Sequence, residues 1–432
     1  MKFYSTNHTA PNVDFKTATI KGLAPDGGLY FPEYIPLLNS NVIREIDRYS
    51  KNDLAYEVLK PYLESEIDQT SLRTIIDQTI AFDFPLIELN DRVSILELFH
   101  GPTFAFKDVG ARFMSRCLSY FLSGTDQKIT VLVATSGDTG GAVADGFYDV
   151  EGVNVVILYP SGMVSKVQEL QLTTHGKNIK ALEINGSFDD CQSLVKQAFS
   201  DAELNKTVFL TSANSISIAR WIPQQLYYFF AYKQWKNKSD APVISVPSGN
   251  FGNICAGLLA YKSGLPVKNF VASCNANDVV PNYLQTGNYE PKKSVATISN
   301  AMDVGNPSNF VRVLEMFKDG KELLNDKLSS YSFSDKQTKD AIGRVFKDYA
   351  YTLDPHGAVA LLGLEKYLSE STLKGFLLET AHPVKFPDVV EKITGSKIAI
   401  PEKIQDLQFK KNEKTKMEVS YADLKEFLIS HK

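Results

Sequence analysis

From about residue 93 onward, short apolar runs alternate with stretches whose apolar positions recur every three or four residues. The runs at 129–134 (ITVLVA), 153–159 (VNVVILY), 179–184, 243–246, 270–273 and 375–378 predict strands. Each is mostly apolar and too short to be a helix. Segments 140–148, 165–174, 189–200, 253–262 and 357–368 predict helices between them. Strands with little polar alternation are covered on both faces, which points to parallel sheet between helix layers and an α/β fold. Residues 1–90 are more broken, with turn-rich pieces such as 22–36 and one helix predicted near 51–65. The run 226–232 holds five aromatics and is expected to be a core helix segment, because no apolar run approaches the ~18 residues of a membrane span. Segment 317–350 is charged and helical in period, and is expected to be a solvated surface lobe. The Lys/Glu-rich stretch 403–432 is expected to be a peripheral tail.

Composition changes this picture mainly by exclusion. The 432 residues carry 46 Lys and Arg against 50 Asp and Glu, so a nucleic-acid surface is not expected. With 26 Gly and 19 Pro, the chain is neither collagenous nor of low complexity. Cys117, Cys191, Cys255 and Cys274 match no zinc spacing and no CxxC pair. They are expected to be reduced core fillers in a cytoplasmic protein. The N-terminal MKFYSTNHTA lacks the apolar stretch of a secretory signal.

Three local patterns suggest chemistry. Two loops rich in Gly and hydroxyl or amide residues each follow a predicted strand and precede a helix. They are Thr135-Ser136-Gly137-Asp138-Thr139-Gly140-Gly141 and Ser248-Gly249-Asn250-Phe251-Gly252-Asn253. Such loops aim backbone N–H groups at an anion. Neither is a GxGxxG nor a Walker loop, which disfavours nicotinamide cofactors and nucleoside triphosphates. The second pattern is Lys107, flanked by Phe104 and Phe106 and followed by Asp108, which reads as a helix N-cap. An amine at a helix start among aromatics is expected to have a lowered pKa and to be a competent nucleophile. Taken alone, however, the segment is better read as a lysine snorkelling from a loop. The third pattern, Asn214-Ser215-Ile216-Ser217-Ile218-Ala219-Arg220, suits a second anion, or equally a capped helix with an exposed Arg.

Taken together, the FxFKD lysine, the TSGDTG loop, the SGNFGN loop and GLAPDGGLYFP at 22–32 resemble threonine synthase. This family comprises pyridoxal-phosphate enzymes of the tryptophan-synthase-β fold type. The ordered resemblance runs from about residue 4 to about 390 and is to the shorter microbial form. It implies a two-lobed fold type II architecture. The expected divisions are 1–92 as an N-terminal segment on the large lobe, 93–215 as the small lobe, and 216–432 as the large lobe with its tail. It also implies pyridoxal 5'-phosphate as cofactor, carried by Lys107. Ser248, Gly249, Asn250, Phe251, Gly252 and Asn253 would hold its phosphate, and Thr380 would face its pyridine nitrogen. Ser136, Asp138 and Thr139 would lie near the substrate carboxylate or the cofactor ring. Asn214, Ser215 and Arg220, with Lys166 assisting, would bind the substrate phosphate.

The implied reaction converts O-phospho-L-homoserine and water into L-threonine and phosphate, in a monomer or dimer with no nucleic-acid or membrane partner. A related phospho-lyase releasing a 2-oxo acid, a serine or threonine dehydratase, and a non-catalytic binding protein are the alternatives. A dehydratase would leave Arg220 without an anion. A binding protein would not need Lys107 and both loops.

Overall fold

The computed structural model describes residues 1–320 and 323–431. Every predicted strand and helix named above is present, with ends shifted by a residue or two. Their boundaries have local causes. All six residues of Ile129–Ala134 are buried, as a two-sided strand requires. Reciprocal capping boxes at Ser165 with Gln168, and at Ser187 with Asp190, start the helices Lys166–Thr173 and Phe188–Ser200. Asp354 followed by Pro355 starts Pro355–Leu368.

The strands form two large sheets. One has the order Leu328–Ser332, Asn269–Cys274, Val243–Pro247, Gly375–Glu379, Val93–Glu97, Leu86–Glu88. It is parallel except at its last pair. The other is wholly parallel, with the order Thr415–Met417, Ile179–Ile184, Val153–Pro160, Ile129–Ala134, Leu210–Thr211. Helices cover these sheets, and a small antiparallel pair joins Phe3–Ser5 to Tyr30–Pro32.

Sheet membership departs from the expected divisions in two places. Val93–Glu97 pairs with Gly375–Glu379 in the six-stranded sheet, although 93 was expected to open the small lobe. Thr415–Met417 extends the five-stranded sheet, although it lies in the stretch expected on the large lobe. Both pairings join segments far apart in sequence, which local periodicity does not encode.

One expectation about a charged segment is also corrected. Within 317–350, Leu328–Ser332 is an edge strand, and Asp335–Tyr349 buries Thr338, Ala341, Ile342 and Val345 at helical spacing. Residues 321–322 of that segment, and residue 432 of the tail, lie outside the described residues. The tail itself docks through Leu424 and Leu428, which join the cluster containing Leu194 and Val195.

Candidate active site

The loops at the carboxyl ends of the parallel strands of both sheets converge on one cleft of about 890 Å³. This is where an α/β fold gathers ligand-binding loops. The loops after Ile129–Ala134, Val243–Pro247 and Gly375–Glu379 all line it.

Lys107 lines the cleft as the first residue of the helix Lys107–Leu122. Its loop is tied to the end of another strand. Phe106 donates its N–H to the Thr380 carbonyl at 2.9 Å, and Ala105 bridges Ala381. These contacts bring Lys107 and Thr380 into the same cleft. Asp108 is not the N-cap expected from sequence: Phe106 takes that position and Asp108 is the second helical residue. Its carboxylate instead turns back and accepts hydrogen bonds from the Thr103 N–H and hydroxyl. Gly101 permits this turn, since a Cβ there would lie 2.3 Å from an Asp108 oxygen.

Burial draws the Lys107 pKa down to about 8. Asp138 opposes this shift, while the cations Lys385 and Arg220 reinforce it. Asp138 itself is buried and pairs with the fully buried Lys385 at 2.8 Å. Gln168 adds a hydrogen bond to the same Asp138 oxygen at 2.9 Å. Burial pushes the Asp138 carboxyl up, but Lys385 and Lys107 outweigh that and hold it well below the usual carboxylate range.

The loop after Val243–Pro247 turns directly into a helix N-terminus. Phe251 takes a left-handed conformation (φ 60°) and turns the chain into the helix Gly252–Lys262. The N–H groups of a helix's first turn have no partner inside the helix. Gly249 presses so closely on the neighbouring backbone that a Cβ would lie 2.5 Å from the Met302 Cα. Gly252 lies against Ser215, where a Cβ would come within 3.1 Å of the serine Cβ. Asn253 lines the cleft, and Ser248 lies behind it with its hydroxyl donating to the Val246 carbonyl at 2.8 Å. In the first loop, the Thr135 hydroxyl accepts from the N–H groups of Gly137 at 3.0 Å and Gly140 at 2.9 Å. That arrangement leaves Ser136 and Thr139 on the cleft wall.

The third pattern lies in the same cleft. Arg220 is 2% exposed, so it is not the exposed helix residue that the sequence also allowed. Among the described residues it has no carboxylate partner, and its Nε lacks any hydrogen-bond acceptor. Its Nη1 donates to the Ala213 carbonyl. Asn214, Ser215 and Arg220 line the same cleft as Lys107. An unpaired guanidinium is costly to bury, and a bound anion would compensate it. Lys166 does not join them. It is exposed at the start of its helix and pairs with Glu169 at 3.2 Å.

Comparison with known proteins decides the family. Residues 2–80 match the family described as threonine synthase N terminus, and 357–428 match threonine synthase, C-terminal. Residues 80–376 match pyridoxal-phosphate dependent enzyme. Threonine synthase of Haemophilus influenzae is 45% identical over 430 residues, covering 99% of this chain and 100% of that protein. The chain belongs to the threonine synthase family. The crystal structure of the Escherichia coli family member superposes with a TM-score of 0.94 at 40% identity, covering all of both chains. A Brucella melitensis member, solved with pyridoxal phosphate bound, gives 0.92 at 34% identity, covering 100% of this chain and 99% of that one. The fold is thus that of the fold type II pyridoxal-phosphate enzymes.

Sequence reasoning missed several residues in or behind this cleft. Lys385 lies in no motif, and no local signal marks it. Gly27, Gly28 and Leu29, from the N-terminal motif, line the cleft. Asp26 holds that turn by accepting from Ser5, Thr9, Ala10 and Gly28. Two Gly residues beside an Asp signalled a tight turn here, though not its destination.

Proposed function

We propose that this chain converts O-phospho-L-homoserine and water into L-threonine and inorganic phosphate. The observation that carries the reading is the buried Arg220, which forms no ion pair among the described residues, in the cleft that also holds the low-pKa Lys107. The residues fit pyridoxal 5'-phosphate. A nucleophilic amine, a helix N-terminus with no room for a Cβ at Gly249, and the Thr380 hydroxyl share one cavity. When bound, that group supplies the electron sink for a substrate carbanion.

The chain's own residues supply the rest. Lys107 would carry the cofactor, and its neutral amine would take the proton from the substrate Cα and return protons later in the sequence. A pKa of about 8 leaves a useful fraction of that amine neutral near pH 7. Gly249 to Asn253 would hold the cofactor phosphate at the helix N-terminus. The Thr380 hydroxyl would face the pyridine nitrogen of that group. Because it carries no negative charge, it does not favour a proton there. Ser136 and Thr139 receive the substrate carboxylate. Asp138 acts from behind them, holding Lys385 and offsetting its effect on Lys107. Arg220, Asn214 and Ser215 hold the substrate phosphate and keep it aligned as it leaves.

We place the chain in the cytoplasm as a monomer or dimer without a nucleic-acid partner, in keeping with its four free, buried cysteines. Among the described residues, no helix is long and apolar enough to cross a membrane. The test is to supply O-phosphohomoserine to the purified holoenzyme and identify the carbon product. Threonine with equimolar phosphate supports the reading, and a 2-oxo acid overturns it.

A further inference from the structure

The anion loop is held by a chain of hydrogen bonds that starts outside the cleft, and the direction of each bond is forced. Arg312 is fully buried and stacks over the Trp221 ring at 4.5 Å. Its Nη2 donates to the carbonyls of Tyr30 at 2.9 Å and Ile216 at 2.7 Å. Its Nη1 donates to Asn309 Oδ1 at 2.9 Å. A guanidinium can only donate, so the Asn309 oxygen must face it and the Asn309 amide must point the other way. That amide donates to Ser215 Oγ at 3.1 Å and to the Asn250 carbonyl at 3.1 Å. Asn250 is oriented by the same logic. The Ser308 N–H, another obligate donor, binds its Oδ1 at 2.6 Å, so its amide donates to Ser215 Oγ at 2.8 Å.

Ser215 Oγ therefore accepts two hydrogen bonds. A hydroxyl has two lone pairs and one hydrogen, so only the hydrogen remains. Among the described residues, nothing accepts it, and Ser215 lines the cleft. The proton is available to a ligand there, and the oxygen is not. Such a hydroxyl suits a fully ionised phosphate, which offers only acceptors, and gives nothing to a group that must donate.

We propose that Arg312 and Asn309 are positioning residues that make the Ser215 hydroxyl an obligate donor to the phosphate of the substrate. The proposal rests on the reading of Asn214, Ser215 and Arg220 as the substrate-phosphate site. Neither Arg312 nor Asn309 lines the cleft.

The test uses the holoenzymes of Asn309→Asp, Ser215→Ala and the double variant. Asn309→Asp keeps the side-chain size but replaces the amide donor with an acceptor. The new carboxylate accepts from both Arg312 and Ser215, which turns the Ser215 hydrogen away from the cleft. A hydrogen bond to a charged group is lost, so KM for O-phosphohomoserine and the inhibition constant of inorganic phosphate should each rise about tenfold or more. Cofactor absorbance should persist, and the cofactor concentration for half-saturation should rise less than KM does, because Asn309→Asp touches the cofactor loop only through the Asn250 carbonyl. Ser215→Ala should give a similar loss. The double variant should be little worse than either single one, because both act through one hydroxyl.

Losses that multiply in the double variant would overturn the proposal. So would weakened cofactor binding with unchanged KM, which would assign the chain of bonds to the cofactor loop instead. If Asn309→Asp does not fold, Asn309→Ala enters the same comparison with Ser215→Ala and is expected to show the same non-additivity. If Ser215→Ala and Arg220→Ala both leave phosphate inhibition intact, the phosphate-site reading itself fails, and the proposal with it.

Discussion

Lys107 gives the most quantitative prediction, because its reactivity follows from its surroundings. Its ordinary pKa of 10.5 falls to about 8 through burial, with Lys385 and Arg220 adding to the shift and Asp138 opposing it. At pH 7 about one amine in ten is then neutral, against roughly one in three thousand for an unperturbed lysine, a gain of about three-hundredfold. Only the neutral amine attacks an aldehyde. The assay is the rate at which apoenzyme captures pyridoxal phosphate, followed by absorbance in stopped flow across pH 6 to 10. The rate should rise with pH and reach half its plateau near pH 8. Borohydride reduction and peptide mapping should then place the label on Lys107. Lys107→Ala should stay folded but take up no label and show no turnover. A plateau reached only above pH 10, or a label on another lysine such as Lys166, would refute the reasoning about burial.

Arg220→Ala should keep the cofactor spectrum but lose about tenfold to a hundredfold in kcat/KM with O-phosphohomoserine, with Arg220→Lys recovering only part of that in steady-state assays. Asp138→Asn should lower the pH midpoint of cofactor capture, because it removes the carboxylate that raises the Lys107 pKa. The same change strands Lys385 in the interior and should destabilise the protein by roughly 3–5 kcal/mol in denaturant titrations. Gly249→Ala should weaken cofactor binding about tenfold or more in equilibrium titration, since its Cβ would sit 2.5 Å from the Met302 Cα. Lys166→Ala should leave kcat and KM within about twofold of the parent, because an exposed ion pair contributes little.

What could be read from the sequence was what is local. Ile129–Ala134 and Gly375–Glu379 announce themselves because a strand buried on both faces must be apolar throughout. The Gly-rich loops were legible because tight turns and backbone approach to an anion select glycine within a few residues. What could not be read were contacts that only the fold creates. Lys385 donates to the Thr103 carbonyl, and Arg312 to the Tyr30 carbonyl, each across 282 residues of sequence. No periodicity marks either residue, because a buried cation is rare and depends on partners supplied by distant segments. Asp108 shows the opposite failure. Its type and position satisfied a local helix-start rule, yet its carboxylate was taken by Thr103, and the helix began without a side-chain cap.

The electrostatics of the cleft show why these residues suit a substrate that carries phosphate. Asp138 neutralises Lys385, but among the described residues no carboxylate pairs with Arg220. The helix Gly252–Lys262 and the helix bearing Lys107 also present their positive ends here. Positive potential therefore exceeds negative before any ligand enters. In that state Arg220 and Lys385 repel a proton from the Lys107 amine and favour its nucleophilic form. An anion placed on Arg220 cancels part of that repulsion and strengthens the amine as a proton acceptor. With the substrate phosphate on Arg220, as proposed above, its binding and proton uptake at Lys107 would be linked through one guanidinium. Its Nη2 reaches within 3.5 Å of the carbonyl of the reactive lysine itself. A neutral substrate of the same length would fill the cleft without this effect, leaving a buried charge uncompensated and the base weaker.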